Sequence, residues 1–363
     1  MKPVDITVTV TFLLAAVLCA NAARAAPAAE DVAKRAHAYM QAHADARTFS
    51  GAVLIAREGA TLFSRAYGFA NEEWQIRNDT TTRFPIASVT KTFTAALVLK
   101  LQEQHLLAIE DPICRHLAPC PKQWQPIAVR HLLMHTAGIP DYARTPDFLQ
   151  KVSQRRSLSE LVAEFRDRPL EFTPGAKYAY SNSNYILLGQ ILDKAGGKPY
   201  EQLLNEHIFT PLGMRDSGLD ANDRVIARRA SGYSGGKRYA NAAYVDTSWL
   251  YAAGAIYSTV GDMLKWDRAL RSGAVLPRAQ VDLMWSAKHG LYGYGWQLLG
   301  PSAQTLNRRL VFHAGGTTGF ASDLLLYPEQ DVTIVLLANL LPVPLADISR
   351  DLSAIAFGEA PRK

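Results

Sequence analysis

The strand patterns of this chain lie at its two ends, and that placement constrains the fold more than any other feature. Residues 51–57 and 61–67 alternate apolar and polar side chains around the turn pair Glu58-Gly59, which predicts a β-hairpin. The next strand patterns, 310–312, 321–327 and 332–338, come only near the other end, the last two joined by Pro328-Glu329-Gln330-Asp331. A lone hairpin is marginal in water, so strands from both ends must meet in one sheet with the intervening chain inserted. Helical patterns at 30–43 and 344–357 flank those strands. The middle, 110–251, holds helical segments near 129–134, 158–167, 183–194 and 200–208, separated by Pro and Gly. The expected class is therefore α+β: an α/β lobe from about 26–110 and 252–363, and a mostly helical lobe over about 111–251. There is no internal repeat.

With 363 residues, 48% of them hydrophobic, the chain is long enough to bury a site in one large core. Lys2 precedes an apolar run over 6–22, and Ala23-Arg24-Ala25 is a small-x-small triplet of the kind a signal peptidase cuts. Residues 1–25 are thus expected to be an export leader and 26–363 the mature domain, periplasmic or secreted. The Thr-rich front of the run, Asn21 and the Ala-rich tail before Pro27 favour cleavage over a retained anchor. Cys19 follows Leu18 rather than a small residue, which argues against lipidation. Cys114 and Cys120 remain; in an oxidising compartment a small disulfide loop is expected rather than a metal site, with two buried thiols as the plainer alternative. The net charge of +6 falls to +5 without Lys2, Arg24 and Asp5. Arg155-Arg156, Arg228-Arg229 and Arg308-Arg309 are scattered rather than aligned, which excludes a nucleic-acid stripe as the main reading.

Three segments can carry chemistry. Phe84-Pro85-Ile86-Ala87-Ser88-Val89-Thr90-Lys91 enters a helical run ending near Gln104, whose Phe93, Leu97 and Leu101 form a buried stripe. Ser88 falls in the first turn, where free N–H groups and the helix dipole favour negative charge, and Lys91 lies on the same face. A serine hydroxyl there can be activated by a lysine held neutral, which an ordinary lysine, with a pKa of about 10.4, is not. An N-capping serine with a surface lysine is the plainer account of S-x-x-K taken alone. In Tyr178-Ala179-Tyr180-Ser181-Asn182, at a loop-to-helix junction, the phenol of Tyr180 can relay a proton and Asn182 can donate to a substrate carbonyl, although packing and capping explain the same letters. Phe312-His313-Ala314-Gly315-Gly316-Thr317-Thr318-Gly319-Phe320 ends a strand, and its glycines allow a ligand backbone to lie alongside; a plain hairpin is the alternative.

In this order the three segments resemble the serine β-lactamase and penicillin-binding family, whose motifs are S-x-x-K, Y-x-N or S-x-N, and K/H-x-G. Leu132-Leu133-Met134-His135-Thr136-Ala137-Gly138-Ile139-Pro140, Ala253-Gly254-Ala255-Ile256-Tyr257-Ser258-Thr259 and Tyr292-Gly293-Tyr294-Gly295-Trp296 extend the likeness over almost the whole mature chain. It looks most similar to the class C β-lactamase, D-Ala-D-Ala carboxypeptidase and esterase branch. The resemblance implies a transpeptidase-like fold, an antiparallel sheet flanked by the terminal helices plus a helical lobe. It implies Ser88 as nucleophile, Lys91 as its proton acceptor, Tyr180 as relay to the leaving group and Asn182 as substrate anchor. Gly315 and Gly316 join the binding and oxyanion edge, with the N–H groups of Ser88 and Gly316 holding the oxyanion. No cofactor or metal is called for. His313 stands where typical β-lactamases carry lysine; an ordinary histidine would give a substrate carboxylate a weaker, pH-dependent hold, which favours a peptidase or esterase.

The expected activity is that of an exported serine hydrolase acting through an acyl-enzyme on a D-amino-acid peptide, an ester or a β-lactam. Its partner is a small-molecule or peptide substrate, cell-wall material being one source. The rival reading is a sensor that binds penicillins or cell-wall peptides without turnover. Gly232-Tyr233-Ser234-Gly235-Gly236 fits G-x-S-x-G, but polar flanks make it a loop rather than a nucleophile elbow. His131 and His135 have zinc-ligand spacing, yet Leu132 replaces the glutamate of H-E-x-x-H. Trp249, Trp266, Trp285 and Trp296 are read as core.

Overall fold

A computed structural model describes residues 26–235, 238–287 and 290–362. The leader reading and Cys19 lie outside the described residues, as do Gly236, the last residue of the G-x-S-x-G segment, and Lys237 after it. Helix α1 (Ala29–Asp45) opens the chain, with Glu30 and Asp31 at the positive end of its dipole. The hairpin follows as β1 (Gly51–Arg57) and β2 (Ala60–Tyr67). Glu58 and Gly59 both have positive φ, 51° and 77°, the pair that a two-residue turn matched to strand twist requires. Next come helices α2 (Thr90–Glu103), α3 (Asn182–Gly196) and α4 (Val260–Ser272). Strands β3 (Gln297–Leu299), β4 (Leu310–Thr317), β5 (Phe320–Tyr327) and β6 (Val332–Ala338) precede the final helix α5 (Leu345–Ala356).

The six strands form one antiparallel sheet in the order β3-β4-β5-β6-β1-β2. The two chain ends meet where β1 pairs β6, Gly51 opposite Ala338 and Arg57 opposite Val332. Both faces of the sheet are covered. Val53 and Ile55 of β1 pack with Ile334 and Leu336 against Val32, Ala36 and Met40 of α1 and Ile348, Leu352 and Ile355 of α5. Ala52, Leu54 and Ala56 point the other way, into the larger core with α2 and α4. That two-sided burial is why β1 is nearly all apolar, where the sequence reading expects alternation. Phe93, Leu97 and Leu101 of α2 are fully buried, and Phe93 stacks on Trp266 of α4 with ring centroids 4.2 Å apart. All four tryptophans read as core are buried.

Three details differ from the sequence reading. β4 does not stop at Phe312 but continues through Thr317, because β5 pairs it residue by residue to Phe320 and so supports its glycines. β3 was not expected; it is three residues long and pairs only with positions 310–312 of β4. Tyr233–Gly235, read as a loop, is a short strand between Leu340–Leu341 and Tyr239–Asn241, with Ser234 exposed. Among the described residues no helix is long and apolar enough to cross a membrane. The basic residues are largely engaged: Arg155 with Asp223, Arg228 with Asp79, Arg229 with Asp220, Arg308 with Glu359 and Arg309 with Glu329.

Candidate active site

Ser88 sits in the tight turn Ala87–Val89 that runs straight into α2. Ala87 adopts a left-handed φ of 44°, a conformation that costs a non-glycine residue about 1 kcal/mol or more. The turn is pinned on both sides. Ile86 N–H donates to Ile256 O at 2.9 Å, and Ile86 O accepts from Val89 N–H at 3.1 Å and from Ser322 Oγ of β5 at 2.7 Å. β4 presses against the same turn at Gly315, where an added Cβ would lie 2.4 Å from Ile86 O and 3.0 Å from Ser88 N. Only glycine permits that approach.

Lys91, one helical turn on, is fully buried. Its Nζ lies 3.1 Å from Ser88 Oγ, 2.9 Å from Asn182 Oδ1 and 2.7 Å from Ala253 O. Burial lowers its pKa to about 7, while the nearby Asp141 carboxylate pulls the other way. The three contacts suit both protonation states. As an ammonium, Lys91 donates to all three; as an amine, it keeps two hydrogens for Asn182 Oδ1 and Ala253 O and turns its lone pair to the Ser88 hydroxyl.

Tyr180 also donates to Ser88 Oγ, at 3.0 Å, with its ring centroid 5.0 Å from Lys91 Nζ. Burial holds its pKa well above the usual phenol value, with Tyr178 and Asp141 adding to the shift, so the group stays a phenol and a proton donor. Asn182 is the first residue of α3, with Ser181 in the capping position. Its amide turns into the site rather than capping the helix, Oδ1 to Lys91 and Nδ2 to the Asp141 carboxylate at 3.2 and 3.4 Å. Gly316 borders a cavity of about 420 Å³ that also exposes Ser88, Asn182, Ala253 and Thr317. β3 pairs β4 only up to Phe312, so beyond that point the outer edge of β4 has no strand beside it among the described residues.

The structure places Ser88, Lys91, Tyr180 and Asn182 in one hydrogen-bonded cluster, with Gly316 on the cavity that exposes Ser88, and two other expected site residues stand differently. His313 does not line the cavity beside Ser88. It is buried, its Nδ1–H donates to Ala314 O at 2.7 Å, and its Nε2 accepts from the Tyr292 hydroxyl at 2.9 Å. Burial, reinforced by the Lys91 charge, lowers its pKa to about 3, so it is neutral throughout the physiological range and offers no pH-dependent hold. Gly315 is not part of the binding edge either; it is the close-approach glycine under Ser88. Cys114 and Cys120 are bonded, with Cα atoms 5.4 Å apart. His131 Nδ1 accepts from Ala128 N–H at the start of its own short helix.

Two residues were missed. Asp141 is buried behind Asn182, and burial raises its pKa. His135 is buried among the rings of Tyr178, Tyr180, Tyr185 and Tyr292, its centroid 4.3 Å from that of Tyr180. Its Nδ1 accepts from Ser181 N–H and from Asn184 Nδ2, both at 3.2 Å, which ties the loop carrying Tyr180 to the start of α3. Asp141 had a sequence signal: a carboxylate after Pro140 at the edge of an apolar stretch already matched to the family.

A serine at a helix start, bonded to a buried lysine three residues on and to a tyrosine from the loop before α3, is on this fold the constellation of the β-lactamase-type serine hydrolase family. The chain belongs to the beta-lactamase family, whose family model matches residues 32–356. It is 29% identical over 314 residues to a penicillin-binding protein of Bacillus subtilis (strain 168), covering 80% of this chain and 68% of that one. It is 26% identical to the D-alanyl-D-alanine-carboxypeptidase/endopeptidase AmpH of Escherichia coli (strain K12), covering 89% of each. Other relatives are longer: the chain spans 62% of a second Bacillus subtilis protein and 59% of Staphylococcus aureus relatives. Among solved structures, a penicillin-binding protein of Bacillus halodurans superposes with a TM-score of 0.76 at 27% identity, over 88% of this chain and 99% of that one.

Proposed function

We propose that this protein hydrolyses an ester or amide through an acyl-enzyme on Ser88. The observation that carries the reading is the contact of Lys91 Nζ with Ser88 Oγ at 3.1 Å, made by a fully buried lysine whose pKa falls to about 7. Neutral Lys91 takes the hydroxyl proton as Oγ attacks the carbonyl carbon. The N–H groups of Ser88 and Gly316 hold the oxyanion; removing one such donor typically costs roughly 3 kcal/mol of transition-state stabilisation. When the intermediate collapses, the Tyr180 hydroxyl protonates the departing nitrogen or oxygen and regains a proton from the Lys91 ammonium. Water then attacks the ester carbonyl from the Tyr180 side, returns Ser88 to its hydroxyl form and releases the acid.

On this reading residues 1–25 direct export and are removed, which leaves a periplasmic or secreted enzyme whose substrate is a small molecule or a peptide, cell-wall material included. The carboxypeptidase/endopeptidase name of the 26% identical relative supports a peptide substrate class. The lobes split at about 110 and 252, and the helical one supplies Tyr180 and Asn182. Intact-mass analysis with a fluorescent penicillin, paired with turnover of a p-nitrophenyl ester, a D-Ala-D-Ala peptide and a chromogenic cephalosporin, tests the proposal. The expected result is an adduct on Ser88 with turnover of at least one substrate. Ser88→Ala is expected to abolish both with the fold intact, and Lys91→Ala to slow acylation by about 100-fold or more. A stable adduct with no turnover points to the sensor, and a Ser88→Ala protein with wild-type turnover overturns the mechanism.

A further inference from the structure

The cavity beside Ser88 has a marked chemical bias. Its walls are Tyr142, Phe148, Leu149, Val152, Val245 and Leu250, and every other described residue that lines it is neutral. Leu149 and Tyr244 stand at its mouth 80% and 56% exposed, large apolar side chains left uncovered where a hydrophobic ligand would cover them. The volume, about 420 Å³, is within the usual range for a small-molecule site.

The side of the scissile bond that this cavity serves follows from Tyr180. That hydroxyl reaches Ser88 Oγ at 3.0 Å but Tyr180 does not line the cavity, whereas Asn182 and Gly316 do. The group that leaves must lie by the proton donor, so the cavity is on the acyl side. A charged acyl group would lose hydration there and meet no countercharge among the described lining residues. The one histidine at the family's cationic position is turned inward and neutral.

We infer that the cavity lined by Tyr142, Phe148, Leu149, Val152, Val245 and Leu250 binds the acyl part of the substrate, and that this acyl part is an uncharged alkyl or aryl group. The inference rests on the Ser88 acyl-enzyme proposed above. Ala243, Val245, Leu250, Thr317 and Thr318 also border a neighbouring cavity of about 500 Å³, but that one is lined by Asp220, Arg224 and Arg229 as well, so the apolar subsite ends at this border.

The test is kcat/KM for p-nitrophenyl acetate, butyrate and hexanoate, with p-nitrophenyl hemiglutarate against the pentanoate as a pair matched in length but differing by a carboxylate. Full burial is worth roughly fourfold per methylene, so a rise of at least about tenfold from acetate to hexanoate is expected, and the hemiglutarate should fall about tenfold below the pentanoate. Leu149→Glu, at an exposed position that cannot threaten folding, is expected to flatten the series. A flat wild-type series, or a hemiglutarate as good as the pentanoate, overturns the inference. Intact mass keeps the two claims apart: no Ser88 acylation by any ester removes the nucleophile reading itself, whereas acylated Ser88 with no chain-length preference removes only the acyl-group assignment.

Discussion

Asp141 and Asn182 share a hydrogen-bonded contact that sets which way the Asn182 amide faces: Nδ2 lies 3.2 and 3.4 Å from the two carboxylate oxygens, which leaves Oδ1 to accept from Lys91. The carboxylate also meets the Ala143 N–H at 3.1 Å and Arg144 at 3.9 Å, and its charge stabilises the Lys91 ammonium. Asp141→Asn keeps the shape and removes the charge. Lys91 then loses its proton more readily, so the acid limb of the kcat/KM–pH profile is expected to move to lower pH, by roughly half to one unit. An unmoved limb with a lowered rate would mean that Asp141 only packs.

In the proposed mechanism acylation needs neutral Lys91, and with its pKa near 7 the acylation rate is expected to rise with pH and reach half its plateau near pH 7. Stopped-flow acylation across pH 5–9 measures this directly. The same shift has a stability sign. Folded Lys91 holds its proton less tightly than the unfolded lysine, at about 10.4. The unfolded state therefore binds more protons between pH 7 and 10, and stability rises over that window. Relative to Lys91→Met, the wild type is expected to gain on the order of a few kcal/mol from pH 7 to 10 in denaturant titrations.

Asp323 has the opposite sign. Buried between β5 and α5, it is capped by Ser349 Oγ at 2.6 Å, and burial raises its pKa to about 7. An acid whose pKa is raised by folding contributes stability fully below pH 4 and loses it as pH climbs through 7. Asp323→Asn, which cannot ionise, is expected to be the more stable protein above pH 7, with the gap closing toward pH 4. Thermal melts of both at four pH values check the crossover.

The Cys114–Cys120 bridge closes a short loop of sequence separation 6 that contributes no residue to the cavity beside Ser88. Loop-closure entropy for so small a ring gives about 2 kcal/mol. A Cys114→Ser, Cys120→Ser double variant is expected to lose that much in urea unfolding while its ester kcat/KM stays at the wild-type value. A drop in kcat/KM would mean that the loop supports the site through the helical lobe.

The cluster around Ser88 was legible because each partner sits in a short segment whose residue types and local element were both readable. Ser88 and Lys91 share a helix face, and Tyr180 and Asn182 flank a helix start. His313 shows where such reading stops. Its place in the motif was visible, but its orientation is decided by Tyr292, twenty-one positions earlier and on no common element, and a pattern along the chain carries no information about such a contact. Asp141 and His135 lay beside or within a stretch already matched to the family, yet each acts on α3 from a loop some forty positions earlier, a contact that the letters alone do not show. The sheet was foreseen because short apolar runs bounded by turn residues are a local signal, whereas β3, with three half-buried residues, has almost none.

The pairing of Gly51–Arg57 with Val332–Ala338 means that the sheet cannot close until nearly the whole chain exists. While it is being made, the N-terminal hairpin keeps a long apolar edge with nothing beside it, a state prone to sticking to other chains. Assembly is therefore obligatorily late and dominated by distant contacts, which places this protein among slow folders. A polypeptide truncated before residue 332 would leave the synthesis machinery with its first, largely apolar strand bare along one edge and with no way to cover it, which makes the last strand the step that commits the molecule to its native form.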